Sequence, residues 1–113
     1  MIAHLVLRVA DIERSRLFYG VLGLEFVAEK HAAGPRHYAC EKSGTVLELY
    51  PRGDRVPAPI RFGLYVESVR LAETELGELH GHAIVGRDPD AQTLTISDPD
   101  GNTLDLIERA QNG

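Results

Sequence analysis

Every second residue from Ala3 to Val9 is apolar, and the segment Ile2 to Val9 is rich in β-branched and aliphatic side chains, which predicts a strand. Asp11 follows as a helix N-cap, with Ile12, Ser15, Phe18, Tyr19 and Leu22 on one helical face and Gly23 as the stop. Glu25 to Lys30, Arg36 to Glu41 and Thr45 to Tyr50 read as three further strands, separated by the turns Ala33-Gly34-Pro35 and Ser43-Gly44. Residues 51–59, with Pro51, Gly53, Pro57 and Pro59, form a linker. The pattern then starts again. Ile60 to Val66 is a strand, Ser68 a second N-cap, and Val69, Ala72, Leu76 and Leu79 an apolar helical stripe ended by Gly81. Short strands follow at Ala83 to Val85, Gln92 to Ser97 and Thr103 to Glu108, the last entered through the turn Asp98-Pro99-Asp100-Gly101-Asn102.

The restart is a repeat at a fixed offset of about 57 positions. It takes Leu7 to Leu64, Val9 to Val66, Asp11 to Ser68, Gly44 to Gly101 and Leu47 to Leu104. One offset holding across both a strand–helix start and a turn–strand end predicts an α+β chain of two βαβββ half-repeats, residues 1–50 and 60–113, within a single domain over 1–113. A chain of 113 residues is too short for two independent cores.

Strand alternation divides the side chains between two faces. Leu7, Val9, Leu47 and Leu49 in the first half, and Leu64, Val66, Leu104 and Leu106 in the second, turn toward the helices. His4, Glu48, Arg61 and Asp105 turn away from them, and the repeat pairs His4 with Arg61 and Glu48 with Asp105. That face is either solvated or the wall of a cavity, and ionisable residues at four equivalent positions favour the cavity.

Composition narrows the setting. An apolar content of 43%, 26% charged residues and a net charge of -5 spread along the chain describe a globular protein with no basic patch for nucleic acid or an anionic membrane. A lone cysteine, Cys40, admits no internal disulfide and fits a reducing cytoplasm. The N-terminus reads as no signal peptide, and no apolar run spans a bilayer.

The residues now assembled resemble the vicinal oxygen chelate superfamily, which includes glyoxalase I, bleomycin-resistance proteins, fosfomycin-resistance enzymes, methylmalonyl-CoA epimerase and extradiol dioxygenases. The resemblance covers nearly the whole chain. It rests on His4 to Val9, on Asp11, Ser15, Phe18, Tyr19, Leu22, Gly23 and Leu24, on Val46 to Leu49, and on Asp98 to Ile107. It implies two βαβββ halves forming a cup-shaped curved sheet. In metal-using members one ligand comes from the first strand of each half and one from the last, which here are His4, Glu48, Arg61 and Asp105.

Two readings of those positions are open. In one, His4, Glu48 and Asp105 hold a divalent ion (Zn, Ni, Mn or Fe), with water or substrate completing the shell. Glu48 then doubles as a catalytic proton carrier in a lyase, isomerase or transferase. In the other, which we prefer, Arg61 has replaced the metal: its guanidinium has no lone pair to donate, and it neutralises Glu48 and Asp105. The protein is then a small-molecule or drug binder with a degenerate metal site. An extradiol dioxygenase fits least, because its two-histidine, one-carboxylate set finds one histidine among the four positions. A member with no surviving site is the third possibility.

Arg61, Tyr50, Tyr65 and Arg8 are the expected ligand contacts, since alternation places them on the cup face. His31 and His37, flanking a turn, read as solvated, and His80 and His82 as caps of the second helix. Phe18 and Tyr19 read as core, Cys40 as inert core, and Asp98 to Gly101 as a turn without the ligand ladder of a calcium loop. There is no phosphate-binding glycine loop and no nucleophile elbow. The three prolines of the linker stiffen it against a tight fold-back. That favours a homodimer in which His4 and Glu48 of one chain share a cup with Arg61 and Asp105 of the other.

Overall fold

The computed structural model describes residues 1–90 and 92–110. The chain divides into two compact units, Met1–Ala58 and Pro59–Gly113. The first contains β1 (His4–Val9), α1 (Ile12–Val21), β2 (Val27–Glu29), β3 (His37–Lys42) and β4 (Thr45–Pro51), in a sheet of order β1-β4-β3-β2. The second contains β5 (Arg61–Val66), α2 (Val69–His80), a 3-10 turn (Gly81–Ala83), β6 (Ile84–Asp88), β7 (Thr93–Ser97) and β8 (Thr103–Glu108), in the order β5-β8-β7-β6. In each sheet the first and last strands of the unit run parallel side by side, and the remaining pairs are antiparallel.

The repeat extends to individual hydrogen bonds. The Val46 amide donates to Ala3 O as Thr103 N does to Ile60 O, both at 2.9 Å. Beyond the strands, Arg52 N donates to Val9 O at 2.9 Å and Arg109 N to Val66 O at 2.8 Å. The helices begin alike: Asp11 Oδ1 accepts from the amides of Glu13 and Arg14, and Ser68 Oγ from that of Leu71. These side chains satisfy amides that the first helical turn leaves without an internal partner. A carboxylate from the last strand assists the second helix, Glu108 accepting from Val69 N at 3.0 Å. Gly44 and Gly101 take φ of +85° and +86°, a left-handed conformation costly for any side-chain-bearing residue, and each turns the chain into the last strand of its unit.

In each unit the buried side chains lie between the helix and one face of its own sheet. Leu7, Val9, Phe18, Tyr19, Leu47 and Leu49 are buried in the first unit, and Val66, Ala72, Leu76, Leu94, Ile96, Leu104 and Leu106 in the second. The alternation read from the sequence therefore gives the buried face of both sheets, and Phe18, Tyr19 and Cys40 are core residues. Burial raises the Cys40 thiol. A polar clamp joins α1 to β3. Glu13 Oε1 accepts from the Tyr38 hydroxyl at 2.5 Å and from Arg36 Nη1 at 2.8 Å, while Arg16 and Arg36 lie 5.3 and 5.0 Å from the Tyr38 ring centre. These donors, Tyr38 first, hold the Glu13 carboxyl down at about 2.

Several expectations are corrected. Leu79 is 65% exposed. It sits at the edge of the apolar stripe in the last helical turn, so only Val69, Ala72 and Leu76 are buried there. Gly81 ends α2 as expected, as its C-cap with right-handed angles (φ -56°), and leads directly into the 3-10 turn. Ala83 therefore belongs to that turn, and β6 starts at Ile84 and continues to Asp88 across an irregularity between Ile84 and Gly86. Among the described residues no helix is long and apolar enough to cross a membrane.

Candidate functional site

The registers set what stands on the face away from each helix. Residues opposite one another on neighbouring strands share a face, so β1, β4, β3 and β2 lay Val6, Glu48, Ala39 and Val27 in one row. One step along the strands, Arg8, Tyr50, His37 and Glu29 form the next row. His4 occupies the first strand one step the other way. Glu48 is therefore diagonal to both His4 and His37, on opposite sides.

The side chains use these diagonals. His4 Nε2 contacts Glu48 Oε1. His37 Nε2 lies 3.0 Å from Glu48 Oε2 and 3.3 Å from Glu29 Oε2. The His37 ring stacks on Tyr50 with centroids 4.1 Å apart and planes 9° from parallel, and the His31 ring packs on His37 at 5.4 Å. His31 Nε2 is in turn 3.2 Å from Glu29 Oε2. Burial, then the Glu48 charge, raise the Tyr50 phenol. His37 is 1% exposed, so its expected place in solvent is wrong. Register carries it onto the sheet face between Glu29 and Tyr50, where the His31 and Tyr50 rings cover it.

The second unit treats the equivalent carboxylate differently. Arg61 Nε donates to Asp105 Oδ2 at 2.8 Å and Nη2 to Oδ1 at 2.9 Å, a bidentate pair. Thr95, directly opposite Asp105 on β7, adds a hydrogen bond to Oδ1 at 2.9 Å. Arg61 first, then Thr95, hold the Asp105 carboxyl below the ordinary range, and Asp105 raises the Arg61 guanidinium in return. The residue equivalent to Thr95 beside Glu48 is Ala39, which has no polar group to offer and leaves Glu48 to the two histidines.

The remaining sequence-predicted contacts are also placed. Arg8 stands 5.5 Å from the Tyr50 ring centre and lines a cleft of about 610 Å³ with Arg52, Arg55, Val56, Pro57 and Ala58. Tyr65 is 64% exposed, with Arg109 5.6 Å from its ring centre.

In the second unit a divalent ion meets a specific obstacle at Asp105. Both Asp105 oxygens already accept from Arg61, one of them from Thr95 as well, and a guanidinium cannot ligate. His4 and Glu48 have the right chemistry for a metal; Arg61 and the Asp105 it holds do not fit one.

The sequence profile of the Glyoxalase/Bleomycin resistance protein/Dioxygenase superfamily matches residues 1–106. Similar solved structures include TnmS3, an antibiotic binding protein from Streptomyces sp. CB03234, with TM-score 0.73 and 21% identity over 97% of this chain and 96% of that one. A glyoxalase/dioxygenase from Nostoc punctiforme gives TM-score 0.75 and 22% identity, covering 98% and 92%. Lactoylglutathione lyase from Agrobacterium tumefaciens gives 0.64 and 22%, covering 96% and 92%. At these identities the likeness is one of fold, and this fold serves several chemistries. No protein with a curated description matches the sequence.

Proposed function

Because the chain belongs to the Glyoxalase/Bleomycin resistance protein/Dioxygenase superfamily, we propose that it binds and sequesters a small molecule, with the superfamily's metal position degenerate. The observation that carries this reading is the closed Arg61–Asp105 pair, in which both carboxylate oxygens are taken by a residue that cannot coordinate a cation. TnmS3, an antibiotic binding protein, offers a precedent for this use of the fold. An anionic ligand suits the chemistry. Arg8, Arg52 and Arg55 all line one cleft with no carboxylate among its described lining residues, and Arg8 also borders Tyr50.

The test is a thermal-shift series with small aromatic carboxylates and phosphates, run in EDTA. A ligand that binds only the folded chain must raise its melting temperature. The expected result is a concentration-dependent rise that survives EDTA and is lost in Arg8→Ala. Stabilisation that requires a divalent ion and disappears in His4→Ala would overturn the reading. It would promote the alternative, a metal-dependent lyase, isomerase or transferase with His4, Glu48 and Asp105 as ligands and Glu48 as proton carrier. The contact of His4 with Glu48 is the observation on that side.

The same reading includes the organisation expected from sequence: one domain of two half-repeats joined by the linker 51–59, assembled as a homodimer with sites shared between chains. Light scattering across a wide dilution range tests it, and a monomer at every concentration refutes the shared site.

A further inference from the structure

Outside the four superfamily positions, the β2–β3 hairpin gathers three donors of its own. Glu29 on β2 and His37 on β3 stand directly opposite each other, and His31 follows Glu29 by two residues. One ligand atom from each lies within 4.8 Å of the other two. The Glu29 oxygen is 3.2 Å from His31 Nε2 and 3.3 Å from His37 Nε2. Ligands bonded to one ion at about 2.0–2.1 Å are separated by about 3.0 Å in octahedral and about 3.3 Å in tetrahedral geometry.

The second observation is the state of His37. Its Nδ1 lies 3.2 Å from the Pro35 carbonyl oxygen, which can accept only if Nδ1 bears the proton. In the neutral ring, Nε2 then carries the lone pair. That nitrogen is fully buried and has no hydrogen-bond partner, although two carboxylate oxygens lie within 3.3 Å. A lone pair facing carboxylates is repelled by them unless a cation or a proton stands between. A metal-ligating histidine whose other ring nitrogen donates to a backbone carbonyl is the arrangement that fixes tautomer and ring orientation.

We infer that Glu29, His31 and His37, none of them among the superfamily's four metal positions, form a binding site for a divalent cation of the zinc class that borders one of those positions, Glu48. Two imidazoles and a carboxylate suit Zn²⁺, Ni²⁺ or Co²⁺ better than Ca²⁺ or Mg²⁺. His37 is the buried anchor. His31, with its side chain 74% exposed, is the ligand through which an ion enters and exchanges. Glu48 Oε2, 3.0 Å from His37 Nε2, adds a second negative charge beside the ion. Three protein ligands leave at least one coordination position for water or a ligand atom.

The experiment is calorimetric titration of the full, tag-free chain with Zn²⁺ after chelator dialysis, at a pH where imidazoles are neutral. The expected result is saturation at one ion per chain. His31→Gln and Glu29→Gln should each weaken binding by about tenfold or more, while His4→Ala keeps the affinity within about threefold. His31 is exposed, so its variant separates lost ligation from lost folding; circular dichroism of the variant checks this. Absence of saturable binding, or equal affinity in His31→Gln, overturns the site. So does affinity lost in His4→Ala and retained in His31→Gln, which moves the ion to the superfamily position. Anion binding in EDTA is independent of all these outcomes, so this site and the proposed function fail separately.

Discussion

Replacing Asn102 with alanine tests what holds the start of β5 against β8, and so what brings Arg61 beside Asp105. Asn102 is 8% exposed and Asp98 5%. The Asn102 amide nitrogen Nδ2 donates to Asp98 Oδ2 at 2.9 Å, and its Oδ1 accepts from the backbone amide of Ile60 at 2.9 Å. One side chain thus fastens the turn to the strand before the parallel pairing begins. Alanine removes both bonds and replaces neither. A hydrogen bond to a buried carboxylate is worth about 1.5–3 kcal/mol, and the part-buried Ile60 amide adds about 1 kcal/mol. Water reaching the exposed side of Ile60 returns some of this, which leaves a loss of about 2–3 kcal/mol. For a chain of this length that corresponds to a fall in Tm of roughly 8–12 °C. Urea unfolding followed by circular dichroism and by tyrosine fluorescence measures it. Asn102→Asp sharpens the test: it keeps an acceptor for Ile60 but sets a second carboxylate against Asp98. It should be less stable than Asn102→Ala at neutral pH and recover relative to it in mild acid. A loss under about 0.5 kcal/mol in Asn102→Ala would refute the reasoning.

Two further outcomes follow from the charged pairs. The Arg61 guanidinium lowers the Asp105 carboxyl, so its stabilisation is present above the unfolded aspartate value of about 3.9 and is lost as pH falls through the lower folded value. Arg61→Leu should therefore lower Tm at pH 7 and converge on the parent chain in strong acid; a gap that does not change with pH contradicts this. Glu13, lowered from 4.5 to about 2, contributes stability that is complete above the higher value and disappears as pH falls through the lower one. Acid titration of Tm should be flatter in Glu13→Gln than in the parent chain over that window, and an unchanged slope counts against the clamp.

Much of this architecture is legible in the sequence because its signals are local. Period-two alternation gives the faces of β1, β4, β5 and β8, the caps Asp11 and Ser68 give the helix starts, and one offset ties the halves together. The same alternation places His4 with Glu48 and Arg61 with Asp105 on the faces away from the helices. His37 is the residue this reasoning loses. Three residues after Gly34, it reads as the flank of a turn. Yet the Ser43-Gly44 turn sets Lys42 opposite Thr45, and counting back along that hairpin brings His37 level with Tyr50, on the Glu48 face. The signal is present as register and absent as hydrophobicity. Leu79 fails for the opposite reason: its spacing is correct, but spacing alone does not show where the sheet beneath the last helical turn stops. Neither could alternation show that Asp105 takes a threonine partner while Glu48 faces an alanine, since that depends on which residues of separate strands come level.

The matched backbone bonds of the two units bear on how such a chain changes over time. Ala3 with Val46, Ile60 with Thr103, Val9 with Arg52 and Val66 with Arg109 are joined through main-chain atoms, which every residue except proline can supply on the donor side. The buried faces of the sheets are filled by aliphatic and aromatic side chains that take no part in the outward rows. Substitutions at positions such as 39 and 95, or 4 and 61, can therefore alter one unit's chemistry while the inherited scaffold of both stays as it was. A doubled framework of this kind lets one unit carry a locked ion pair and the other a set of imidazoles, with the chemistry and the shared scaffold on opposite sides of the same strands.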